Sequence, residues 1–175
     1  LDSAPPSAGQ DPEGRLLAAI GPLTRVVTVS WVRFQDGLRF DLQRLARGCR
    51  EREVALVVDG IQGAGVLPLR LEGVSAFATG VHKGLLSPQG AGLLWTSPEF
   101  RERLSPVGSW LSVEEGGDFR RPATDLERSW LADGRRVEQG GMSGLLLVPL
   151  AHSLLRLREA GLARIGAGEG ASARA

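Results

Sequence analysis

Apolar and polar residues change rhythm along this chain, and each change predicts an element. From Arg25 to Val32 the two types alternate and β-branched residues are frequent, which predicts a strand. The run Val54 to Val58 is continuously apolar, the pattern of a strand buried on both faces of a sheet. Val74 to Ala78 and Leu93 to Thr96 are two further candidate strands. Between the first two strands, Leu42, Leu45, Ala46 and Cys49 fall at helical spacing and form one apolar face. Asp41 precedes them as an N-cap, so a helix should run from there to about Arg52. Shorter helices are expected from Arg15 to Ile20, stopped by Gly21 and Pro22, and from Pro98 to Leu104, capped by Ser97. Gly144 to Gly161 is a longer candidate, on which His152 reads as structural.

The order strand, helix, strand, connection, strand predicts an α/β fold with a mostly parallel sheet and right-handed crossovers. The link from Leu85 to Gly90 is too short for a parallel crossover, so the strand at Leu93 should run antiparallel to the one before it. Leu111 to Asp125, rich in glycine and charge, reads as an irregular loop, and Trp110 and Trp130 beside it read as packing anchors. Arg164 to Ala175 has few bulky residues and reads as a frayed end.

Composition narrows the functional classes. Of 175 residues, 42% are hydrophobic and 23% charged, an ordinary globular balance. A net charge of +1 gives no electrostatic case for nucleic acid. No apolar run is long enough to span a membrane, and no signal peptide is seen, so the expected location is the cytoplasm. A single cysteine, Cys49, excludes an internal disulfide and a cysteine-based metal cluster, and two histidines give no basis for a histidine-held metal. The chain starts at Leu1 and its only methionine is Met142, so we expect a fragment.

The chemistry centres on one residue. Lys83 is the only lysine among 21 Lys and Arg residues. Arginine stays protonated, whereas a desolvated lysine can lose its proton and attack an aldehyde. An arginine-rich composition that spared one lysine would give the same count, and the count alone leaves both readings open. Asp59 directly follows the buried run, which places a carboxylate at the strand-end rim where open α/β sheets bind ligands. Gln62 and Gly60, Gly63 and Gly65 follow it. The third strand delivers Thr79 to Lys83 to the same rim, and the first delivers Ser30, Trp31 and Arg33. The glycines form neither a P-loop nor a dinucleotide fingerprint, which sets a nucleotide phosphate aside.

Val57, Val58, Asp59, Gly60, Ile61 and Gln62, taken with Gly80, Val81, His82, Lys83 and Gly84, resemble the core of the class V aminotransferase family. These are fold type I pyridoxal-phosphate-dependent enzymes, and the group includes cysteine desulfurases and isopenicillin N epimerase-like proteins. The resemblance implies pyridoxal 5'-phosphate as cofactor and an amino-acid-like substrate. It implies that Lys83 forms the Schiff base, Asp59 pairs with the pyridinium nitrogen, Gln62 bonds the ring hydroxyl and His82 lies against the phosphate or ring. Desulfurase-type members carry a hydroxyl three residues before the lysine, where this chain has Gly80, and Thr79 is the candidate substitute at the phosphate. The fold implied is the central part of the large domain of that transferase fold. Residues 1–13 would be a polar loop, 14–125 part of the cofactor-binding large domain, 126–166 the crossover and start of the small domain, and 167–175 a disordered tail.

A homodimer is implied as well, with no nucleic-acid or membrane partner and no metal. Desulfuration is disfavoured, because those enzymes carry a reactive cysteine well after the lysine and this chain has none there. The alternative is a catalytically inactive remnant or interaction module that keeps the fold. The isolated fragment is expected to be inactive and to fold poorly, for want of strands at a sheet edge.

Overall fold

A computed structural model describes residues 11–105, 108–122, 127–141 and 143–172. Its centre is a four-stranded sheet of β1 (Val26–Ser30), β2 (Ala55–Asp59), β3 (Ala76–Gly80) and β4 (Gly92–Thr96), in that spatial order. β1 pairs with β2 and β2 with β3 in parallel, and β4 runs antiparallel to β3. The expected fold class and the reversed direction after the lysine are both present. β2 and β3 each lie one to two residues later than the apolar runs suggested, so Asp59, Thr79 and Gly80 are strand residues.

The register sorts side chains onto two faces. Ser30 is opposite Asp59, and Asp59 is opposite Ala78, so these three share a face. Val29, Val58 and Phe77 are matched across the same strands and share the other face, where all three are buried. That second face is covered by α2 (Leu42–Arg50), whose Leu42, Leu45, Ala46 and Cys49 are buried as their spacing requires. The Asp41 carboxylate accepts from the Arg44 amide at 3.0 Å and caps α2. Glu13 is buried and accepts from the Asp41 amide at 2.7 Å, which ties α1 (Pro12–Ala18) to the start of α2. α1 begins earlier than expected because Asp11 caps it and Pro12 fits its first turn.

After β4, α3 (Pro98–Arg103) is capped by Ser97 as anticipated. Of the two tryptophans read as packing anchors, Trp110 packs on Phe119 with ring centroids 5.2 Å apart, and Trp110 and Trp130 are 51% and 45% exposed. The segment read as an irregular loop opens with a 3-10 helical turn at Trp110–Ser112, and Val113 bridges to Trp130. Residues 123–125 of that expectation lie outside the described residues. α4 (Gly144–Ala160) matches its pattern, and His152 is exposed on it. The end read as frayed forms α5 (Leu162–Ser172) instead, and residues 173–175 lie outside the description.

Candidate active site

The carboxyl ends of β2 and β3 are adjacent, so the segments that follow them meet. Asp59 is the last residue of β2, and its carboxylate is anchored on both oxygens. Oδ1 accepts from the Ile61 amide at 3.0 Å and Oδ2 from the Ser30 hydroxyl at 3.3 Å. Both donors are neutral, and Asp59 forms no ion pair among the described residues. Its charge is oriented but not neutralised, and the side chain is exposed in an open depression of about 410 Å³ shared with Ala78, Gly80, Gly92 and Leu94.

The glycines after Asp59 have packing reasons. A Cβ on Gly60 would overlap the Phe77 ring, and one on Gly63 would stand 2.5 Å from the Trp31 ring. The chain turns tightly, with the Ala64 amide donating to the Gly60 carbonyl at 2.8 Å. Gln62 is half-buried on that turn.

The lysine segment leaves β3 at Gly80. A Cβ there would come within 3.0 Å of His82 Cε1 and 3.2 Å of Ile61 Cδ1. The missing side chain thus makes room for the His82 imidazole to fold back beside the loop that follows Asp59. His82 itself is exposed and Lys83 is half-buried, and the Lys83 Nζ lies 5.6 Å from the centroid of the Phe34 ring. Thr79 is buried on the face opposite Ala78, and its hydroxyl donates to the Gly80 carbonyl at 3.0 Å.

The two loops are joined backbone to backbone. Gly65 has φ +82°, and a Cβ on it would overlap the Gly84 carbonyl oxygen. A Cβ on Gly84 would in turn overlap the Ala64 carbonyl oxygen and stand 2.6 Å from Val66 Cγ2. The residue next to Lys83 is therefore seated directly on the turn that begins at Asp59. Asp59 ends β2, Lys83 lies in the loop that follows the neighbouring β3, and the two loops are in contact. Ser30 was placed at the rim by the end of the first strand. Its bond to Asp59 and the Gly65 to Gly84 contact were not foreseen, because neither follows from local pattern.

A family model described as aminotransferase class-V matches residues 4–173. The chain belongs to that family. It is 37% identical over 97 residues to isopenicillin N epimerase of Streptomyces clavuligerus, a match covering 54% of this chain and 24% of that protein. It is 32% identical over 91 residues to the cysteine desulfurase IscS of Neisseria meningitidis serogroup C, covering 51% of this chain and 22% of the relative. The matches thus span about a quarter of the length of these relatives. Among solved structures, the cystine C–S lyase C-DES in complex with cysteine persulfide superposes with a TM-score of 0.75 at 26% identity, over 87% of this chain and 40% of the other. The cysteine desulfurase CsdA of Escherichia coli gives a TM-score of 0.74 at 21% identity, over 87% and 37%, which shows the shared fold.

Class V aminotransferases use pyridoxal 5'-phosphate, and the donor set fits that group. An exposed carboxylate with neutral donors on both oxygens suits a ring nitrogen that carries a proton, and a primary amine on the adjacent strand end suits an aldehyde. No described helix is long and apolar enough to cross a membrane.

Proposed function

We propose that this chain carries the cofactor-holding core of a pyridoxal-phosphate enzyme acting on an amino-acid-like substrate. The observation that supports it most is the contact of the Lys83 segment, through Gly84, with the turn that follows Asp59 at the end of the neighbouring parallel strand, in a member of this family. When bound, the cofactor supplies an electron sink for a carbanion at the substrate α-carbon. Lys83 would hold the cofactor through Nζ and, once the substrate amine takes its place at the aldehyde carbon, its freed amine would move the α-proton. Asp59 keeps a proton on the ring nitrogen, and Ser30 and the Ile61 amide hold its carboxylate in one orientation. Gln62 bonds the ring hydroxyl, and His82, folded against Gly80, borders the ring or phosphate.

Thr79 receives no contact in this reading. Its hydroxyl is engaged on the opposite face by the Gly80 carbonyl, as the reversal of side-chain direction along a strand requires. We also read the reaction as an aminotransferase, epimerase or lyase type rather than desulfuration, because Cys49, the only thiol of these residues, is buried in the core. The enzyme is read as a cytoplasmic homodimer, checked by light scattering and cell fractionation. The decisive experiment mixes the full polypeptide with pyridoxal phosphate. A visible absorption band should form, Lys83→Ala should abolish it, and borohydride reduction should leave the pyridoxyl group on Lys83. A band formed without turnover of any amino acid in a panel would favour the inactive alternative, and no band would refute the assignment.

A further inference from the structure

The chain from Val81 to Ser87 closes on itself around Lys83. The Leu86 amide donates to the Lys83 carbonyl at 2.9 Å, and the Ser87 amide donates to the Val81 carbonyl at 3.1 Å. Leu86 has φ +52°, a left-handed conformation that a bulky side chain seldom adopts. Such a residue persists only where its surroundings hold it. Part of that hold comes from α4, whose Ser153 hydroxyl donates to the Leu86 carbonyl at 2.8 Å. A serine in a helix can return its hydroxyl to the helix's own backbone, and this one reaches across to the loop instead. Leu150 and Leu157, one turn before Ser153 and one turn after it, are buried, so the hydroxyl lies on the face of α4 that packs on the core. The same helix meets the loop again at Gly90, where an added Cβ would stand 3.2 Å from Leu146 Cδ1.

The Leu86 carbonyl and the Ser87 amide belong to one planar peptide unit. Ser153 holds the oxygen side of that plane and the Val81 carbonyl accepts from its nitrogen side, so rotating the plane breaks both bonds together. Relaxation of Leu86 into a right-handed conformation requires that rotation. It would open the loop in which Lys83 sits, on the side away from the seat of Gly84 against the Ala64 carbonyl. We propose that Ser153 is a positioning residue of the Lys83 site: its hydroxyl locks the left-handed turn at Leu86 and through it the backbone of the lysine. α4 thereby sets where the amine is presented. This rests on the function proposed above and adds a residue, on a distant helix, that acts on the same amine through the loop.

The test compares the full wild-type polypeptide with Ser153→Ala, Ser153→Thr, Leu86→Gly and the double variant that combines Leu86→Gly with Ser153→Ala. Alanine is a better helix former than serine, so α4 survives the loss of the hydroxyl. Dissociation constants for pyridoxal phosphate are read from the visible band. Ser153→Ala should bind the cofactor about two- to tenfold more weakly, the range of one hydrogen bond in a folded protein. Ser153→Thr keeps the donor and should stay within about twofold of wild type. Glycine enters the left-handed region freely, so in the Leu86→Gly background the loss of the hydroxyl should matter little. Hydrogen exchange of the cofactor-free protein gives a second readout. In Ser153→Ala the Leu86 and Ser87 amides should exchange faster by a similar factor, whereas the amides of β2 and β3 should not change. Wild-type affinity in Ser153→Ala, unchanged exchange at Leu86 and Ser87, failure of Ser153→Thr to restore binding, or an equal loss in the Leu86→Gly background overturns the inference while the function stands. Absence of the visible band in wild type overturns both.

Discussion

Replacing Gly65 by alanine tests whether the two loops of the site are one mechanical unit. Gly65 lies at φ +82°, and an L-residue there costs about 1–2 kcal/mol for the left-handed conformation alone. The new methyl would also overlap the Gly84 carbonyl oxygen and stand 2.9 Å from the Leu85 amide nitrogen, and both obstacles are backbone. Overpacking of that kind adds about 1–3 kcal/mol, for a total of roughly 2–5 kcal/mol. Gly37 is the matched control, with φ +70° and nothing within 4 Å of its added Cβ. Gly37→Ala should therefore show only the conformational part, about 1–2 kcal/mol. Urea unfolding of both variants of the full polypeptide isolates the contact as their difference. Gly65→Ala should in addition weaken pyridoxal-phosphate binding, because relief of the overlap moves the residue beside Lys83, and Gly37→Ala should not. Equal losses of stability in the two variants, with cofactor binding intact in both, would refute the idea that this contact sets the position of the lysine.

Three further outcomes follow from the same geometry. Asp59→Asn keeps an acceptor for the Ile61 amide, so the unfolding midpoint should hold while cofactor affinity and the visible band fall; calorimetry and absorbance read the two separately. Leu45→Ala, at a position with no exposed surface, should destabilise by about 2–5 kcal/mol, whereas Leu23→Ala, 88% exposed, should change stability by no more than about 0.5 kcal/mol in urea titrations. Burial pushes the Cys49 thiol above its ordinary pKa, partly opposed by the Arg52 charge, so alkylation by iodoacetamide should be slow until the protein unfolds. The unfolded thiol ionises first as pH rises past its own pKa, so stability should fall through that window, and Cys49→Ala should flatten the fall in unfolding curves measured across alkaline pH.

Much of the fold was legible because its signals are local. A cap at Asp41, an apolar face at helical spacing and a link too short for a crossover each fix one element without knowledge of the rest. The rim position of Asp59 was legible for the same reason: it closes a buried apolar run, and strand order sets β3 beside it. Contacts between distant segments were not. The Gly65 and Gly84 backbones meet, yet each glycine by itself reads as ordinary loop composition. The end of β3 was less legible: it runs two residues past the apolar run that suggested it, and one residue decides which face a side chain takes.

β4 carries a consequence of another kind. Gly92 to Trp95 are exposed, including Leu93, Leu94 and Trp95, and among the described residues the strand has a partner on one side only. Such a strand is an adhesive margin, with unpaired amides and carbonyls flanked by greasy side chains and no charge to keep a second strand away. Work with these residues in isolation should thus be governed by clumping before catalysis, and soluble yield should respond to temperature and concentration more than to added cofactor.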